Sequence, residues 1–71
     1  MTLKHEIVLA KNLKEETFIY LPDEKRFFYI DVIDFDGRNV VLIFEETVDN
    51  LGLVTSELVL NQNKKVVKII L

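Results

Sequence analysis

The stretch that decides the fold is Arg26-Phe27-Phe28-Tyr29-Ile30-Asp31-Val32-Ile33-Asp34-Phe35-Asp36-Gly37-Arg38-Asn39-Val40-Val41-Leu42-Ile43-Phe44-Glu45-Glu46. Two runs of β-branched and aromatic residues flank a single Asp-Gly, a strong local signal for a β-hairpin. The pattern predicts a long antiparallel hairpin at the centre of a small all-β domain.

Two registers are weighed. A two-residue loop at Asp36-Gly37 pairs Phe35 with Arg38 and Ile33 with Val40, and makes both faces apolar. A three-residue loop, Phe35-Asp36-Gly37, puts Gly37 in the left-handed region as a bulge, where glycine has no Cβ penalty. It sets Asp34 opposite Arg38 and gathers Phe28, Ile30, Val32, Val40, Leu42 and Phe44 on one clean apolar face. A slip of one residue exchanges the faces. We expect the three-residue loop, because it leaves Asp31, Asn39 and Glu45 together on the wetter side.

Seventy-one residues specify one domain, 1–71. A chain this short buries only about 60% of its unfolded surface. It has no cysteine and a single histidine, His5, which excludes disulfides, cysteine-based metal sites and multi-histidine sites. Hydrophobic residues make up 49% of the chain and mean hydropathy is positive, more apolar content than a small domain can hide alone. Oligomerisation is the natural remedy. No run approaches the roughly 18 apolar residues of a membrane span. The start of the chain carries neither a basic region before an apolar core nor a cleavage site, so a cytoplasmic location is expected.

Charge is uneven. Residues 31–57 hold only Arg38 against Asp31, Asp34, Asp36, Glu45, Glu46, Asp49 and Glu57, a net of minus six. Residues 1–30 balance to zero, and Lys64, Lys65 and Lys68 give the end of the chain plus three. An acidic centre repels phosphate and suits a basic protein partner or simple solubility.

Taken in order, Glu6–Ala10 reads as a strand, because β-branched Ile7-Val8 outweighs a helical spacing of Leu3, Ile7 and Ala10. Lys11–Glu16 is a polar loop. Thr17–Leu21 is a strand ended by Pro22, which cannot donate to a ladder. Asp23-Glu24-Lys25 is a turn. Phe44, Val48 and Leu51 followed by Gly52 suit a short helix at 45–51 with a glycine cap, with a structured loop as the alternative. Leu53–Leu60 is a strand, with a break expected near Ser56; Asn61-Gln62-Asn63 is a turn; Lys64–Leu71 is a final strand. Five or six antiparallel strands in so short a chain imply a small barrel.

The segment Gly52-Leu53-Val54-Thr55-Ser56-Glu57-Leu58-Val59 resembles the Gly-Leu-apolar-Pro-Ser-x-x-Val stretch near the end of SH3 domains. It covers eight residues and lacks the proline, and the chain has no tryptophan for an SH3 ligand groove. The resemblance implies an SH3-like barrel shape and carries no ligand specificity.

Candidate chemistry is sparse. Asp31, Asp34 and Asp36 beside Gly37 have the look of a hard-cation loop, but Arg38 and Val40 stand where ligands are needed, so a turn is the better reading. Asp31 and Glu45 share a face in the expected register, yet no nucleophile, base or phosphate loop accompanies them. No enzyme activity, metal or cofactor is expected. Lys25-Arg26 before Phe27-Phe28-Tyr29 resembles the basic-aromatic mixture on which bases stack in oligonucleotide-binding barrels. The alternative is that Phe28 is core, with Phe27 and Tyr29 packed beneath the N-terminal strands. Nucleic-acid binding would require Phe27, Tyr29, Lys25 and Arg26 exposed on one surface with Lys64 and Lys65. The adjoining acid disfavours it.

The last strand is the most suggestive stretch for a partner. Val66, Lys68 and Ile70 form one face; Val67, Ile69 and Leu71 form the other. At a sheet edge this strand has Lys68 as its only guard and invites strand addition. In the interior it pairs on both sides, one of them with Glu6–Ala10. The resulting expectation is a small, non-enzymatic, self-associating interaction module of an accessory or inhibitor kind. Its partner-binding residues are Val66, Val67, Lys68, Ile69, Ile70, Leu71, Phe27 and Tyr29, and its partner is itself or another protein, not a membrane. A nucleic-acid-binding barrel and a structural subunit of a larger assembly are the alternatives.

Overall fold

The computed structural model describes residues 3–71. The chain forms seven strands among these residues: β1 (His5–Leu9), β2 (Thr17–Leu21), β3 (Arg26–Ile30), β4 (Val32–Asp36), β5 (Asn39–Val48), β6 (Gly52–Asn61) and β7 (Lys65–Ile69). They make two antiparallel sheets, ordered β1-β7-β2-β3 and β4-β5-β6, here called sheet A and sheet B. The all-β expectation holds. The two sheets are separate and open, not wound into a closed barrel, and the segment that resembles SH3 domains lies inside an unbroken β6.

The strand expected from Arg26 onward is divided at Asp31, and this division organises the molecule. Phe28 and Ile30 point inward from β3, whereas Ile33 packs against the core from β4, so the alternation slips by one residue at the corner. Both sheets hold the corner: Glu16 N–H donates to Ile30 C=O at 2.7 Å, and Asp31 N–H donates to Ile43 C=O at 3.0 Å. The Glu15 carboxylate accepts the Ile33 N–H at 3.0 Å.

The central hairpin adopts neither expected register. Asp36 pairs with Asn39, Phe35 with Val40 and Ile33 with Leu42, so the loop is Gly37-Arg38. Gly37 sits at φ +60 in the first loop position, the place glycine takes in the II′ hairpin turn. Asp34 therefore faces Val41 instead of Arg38. Five of the six residues on the expected clean face are nevertheless buried: Phe28, Ile30, Val40, Leu42 and Phe44. Val32 is exposed, because the slip at Asp31 gives its inward place to Ile33.

The helix expected at 45–51 does not form. β5 stays extended to Val48, where β-branched Thr47 and Val48 favour a strand, and pairs with β6 along its whole length. The turn between them has Leu51 N–H donating to Val48 C=O at 3.1 Å, with Asn50 at φ +72 and Gly52 at φ +76. Gly52 thus has its left-handed conformation, in a hairpin turn and not as a helix cap. β6 also runs on without the break expected near Ser56.

Ile19 and Leu21 from β2 and Val66 from β7 meet Val40, Leu42 and Phe44 from β5 across the gap between the sheets. Phe28 and Phe44 join the sheets edge to face, with ring centres 4.9 Å apart. The Arg26 guanidinium lies 4.5 Å from the centre of the Phe28 ring and 3.5 Å from the Glu46 carboxylate of the other sheet. A 3₁₀ turn, Ala10–Asn12, docks on the β6–β7 turn through Ala10 N–H to Lys64 C=O at 2.8 Å and Lys11 N–H to Gln62 C=O at 3.0 Å. Among the described residues no helix is long and apolar enough to cross a membrane.

Candidate functional site: the outer face of sheet A

The last strand, β7, is an interior strand. It pairs with β1 on one side (Ile7 with Val67) and with β2 on the other (Tyr20 with Val67). Of the two placements weighed for this strand, the interior one, paired with the N-terminal strand, is found. Strand addition at β7 is blocked by β1 on one side and β2 on the other.

Sheet A instead presents a face. After Thr17 and Arg26, β2 and β3 are runs of apolar and aromatic residues, and their alternation separates two roles. Ile19, Leu21, Phe28 and Ile30 go into the core, while Phe18, Tyr20, Phe27 and Tyr29 go to the outside. Register brings the outer aromatics together across the two strands. Phe18 faces Tyr29 and Tyr20 faces Phe27, with ring centres 4.8 and 4.9 Å apart. Such cross-strand pairs add about 0.2–1 kcal/mol each to the sheet.

The rows continue over β7 and β1. One runs Ile7, Val67, Tyr20, Phe27. Its neighbour begins with His5 opposite Ile69 and ends with Phe18 opposite Tyr29. Phe27 is 53% exposed and Tyr29 41%, and Ile7 and Leu71 stand out further still. Two shallow, open depressions of about 310 and 440 Å³ lie on this face. The first is lined by Leu3, Phe18, Phe27, Ile69 and Leu71, all carbon side chains. Open dips of this kind admit protruding side chains; they do not enclose a small molecule as binding pockets do.

The eight residues expected to bind a partner are thus divided. Phe27, Tyr29, Val67, Ile69 and Leu71 share the outer face. Val66 is fully buried in the core. Lys68 is on the core side, registered with Ile19 and 3.6 Å from the Glu6 carboxylate. Ile70 follows the same side as Lys68, and its N–H donates to Lys4 C=O at 2.9 Å. Sequence reasoning missed Phe18, Tyr20, Leu3 and Ile7. The signal was present in the phase of β2 and β3, where one of the two alternating sets in each strand is aromatic.

Charge divides by sheet. The acidic segment 31–57 is the corner at Asp31, then β4, β5 and the first part of β6 with their turns, so its carboxylates lie on sheet B, its turns and the corner. Among the described residues no aspartate or glutamate occupies an outer ladder position of sheet A; His5 and Lys65 are the basic side chains there, beside the phenols of Tyr20 and Tyr29. The basic set expected for nucleic acid is not assembled. Arg26 points to the opposite side, over Phe28. Lys64 is held 2.8 Å from Asp23 and keeps that carboxyl below its usual range by hydrogen bond and charge. Asp31 lies at the corner between the sheets, whereas Glu45 is exposed on β5, opposite Thr55 of β6. Asp34 accepts the N–H of Phe35 at 2.8 Å within its own strand.

No protein-family model, curated protein or solved structure matches the chain.

Proposed function

We propose that the chain is a small non-enzymatic protein-interaction module, acting as an accessory or inhibitory subunit, whose partner-binding surface is the outer face of sheet A. The observation that carries this reading is the cluster of four outward aromatics, Phe18, Tyr20, Phe27 and Tyr29, in two adjoining rows, continued by Val67 and the exposed Leu71 around the buried Ile69, without an aspartate or glutamate. Contiguous apolar surface of this kind marks an interaction site. Aromatic residues supply large contact area at low entropic cost, and interfaces are enriched in them. The partner is a protein offering apolar side chains that fill the two depressions. A strongly basic partner would instead meet the acidic sheet B.

Phe27→Asp is expected to leave the fold intact, changing stability by less than about 1 kcal/mol, because the side chain is half in water and its pairing with Tyr20 is modest. The test is to pan a displayed library of peptides and small domains on the immobilised chain, with the Phe27→Asp variant as counter-selection. A series of protein ligands that bind the native chain and lose at least tenfold on the variant supports the reading. Should binders ignore Phe27, or should single-stranded oligonucleotides quench Tyr20 and Tyr29 in a salt-sensitive way, the protein-binding face is wrong. The second outcome would put nucleic-acid binding in its place.

A further inference from the structure

Among the described residues four strands lie at sheet edges, and they are not alike. β1, β3 and β4 are five residues long and carry charge: His5 and Glu6 on β1, Arg26 on β3, Asp34 and Asp36 on β4. β6 is ten residues long, with no proline or lysine and with Glu57 as its one charge. Among the described residues only β5 packs along it, so its outer edge offers free N–H and C=O groups. Leu53 is 66% exposed and Val59 55%. Native proteins guard long edges with charge, proline or bulges, because an unguarded one pairs with another strand.

We propose that β6 is the self-association edge: two copies pair antiparallel through Leu53–Val59 about a two-fold axis at Ser56, joining two three-stranded sheets into one of six strands. The segment selects a second copy as occupant because it is self-complementary. It reads Leu53-Val54-Thr55-Ser56-Glu57-Leu58-Val59, apolar pairs at both ends and polar residues between. Antiparallel pairing about Ser56 sets Leu53 against Val59 of the second copy, Val54 against Leu58, and Thr55 against Glu57. Inner residues then meet inner residues, as a continuous sheet requires. Other centres are worse. An axis at Glu57 puts two carboxylates directly opposite each other, and one at Thr55 sets Glu57 against Leu53. A two-fold contact of this kind is closed, and it leaves the outer face of sheet A free on both copies.

The inference is independent of the aromatic face and is tested apart from it. The full chain and its variants are compared by sedimentation equilibrium over a wide concentration range, with circular dichroism as the check on folding. Thr55 is exposed, and the proposed register sets it against Glu57 of the second copy twice per dimer. Thr55→Arg is therefore expected to tighten the dimer roughly tenfold and Thr55→Glu to weaken it by a similar factor. The chain has no cysteine, so a single one can be placed at will. Ser56→Cys is expected to oxidise to a covalent dimer, since directly opposed antiparallel residues lie within disulfide reach. Glu57→Cys, offset along the strand, is expected to cross-link far less. A chain that stays monomeric to millimolar concentration overturns the proposal. So does a dimer indifferent to both Thr55 variants, one lost in Phe27→Asp, or one in which Glu57→Cys cross-links as readily as Ser56→Cys.

Discussion

Phe28→Ala is expected to remove about 3–5 kcal/mol of stability, while the same change at the adjacent Phe27 removes about 1 kcal/mol or less. The two residues have the same side chain and occupy the same strand; they differ in the direction they face. Phe28 is 5% exposed and meets Phe44 edge to face across the two sheets. Its loss leaves a cavity between the sheets and takes away the ring beneath Arg26. A domain of this size has total stability on the order of 4–11 kcal/mol, so the variant loses a large share of it. Phe27 lies on the outer face, already half in water, so its truncation leaves no enclosed cavity. Urea titrations followed by circular dichroism give both values. Equal losses at the two positions would mean that the assigned faces of β3 are wrong.

Gly37→Val is the second large effect. Gly37 holds φ +60, a region that costs a residue with a Cβ about 1–2 kcal/mol, and more when that residue is β-branched. A Cβ built there would meet nothing within 4 Å, so the loss is backbone strain and not a clash. A loss of about 2 kcal/mol is expected, equivalent to a melting temperature lower by roughly 10 °C. Gly37→Ala is expected to cost less than Gly37→Val, because a β-branched side chain is the more restricted of the two at positive φ. Thermal denaturation of the pair is decisive: an unchanged midpoint for Gly37→Val would remove this hairpin turn from the account.

The hairpin shows what the sequence could and could not convey. Asp36-Gly37 marked the turn correctly, and both expected registers required a glycine at positive φ. The pairing itself depends on which residues flank the loop, and local composition does not separate a Gly37-Arg38 loop from one at Asp36-Gly37. The clean apolar face was legible because Val40, Leu42 and Phe44 alternate strictly. Its continuation to Val32 failed at Asp31, where the chain changes sheets; nothing local to Asp31 distinguishes a corner residue from a polar residue within a strand. Val48-Asp49-Asn50-Leu51-Gly52 was read as the end of a helix because hairpin turns and helix ends use the same left-handed residues.

The candidate site was half legible, for a similar reason. Phe27 and Tyr29 stood out by composition. The face they join is built from β1, β7 and β2, and its membership depends on a strand order that brings the last strand between the first two. Strand order is a long-range property, and an apolar strand such as Lys65–Ile69 reads the same at an edge and in the interior. The unguarded edge does exist, at β6, where regular alternation gave no warning of exposure.

The central claim is that Phe18, Tyr20, Phe27 and Tyr29 form an open surface while Phe28 and Phe44 form the core. A soluble gadolinium chelate added to a dilute sample, with ring-proton relaxation read by NMR, tests this residue by residue. The account requires strong relaxation enhancement at the four outer rings and little at Phe28 and Phe44. Outer rings as protected as Phe28 would contradict it, since the face would then be covered within the chain itself and unavailable to any partner.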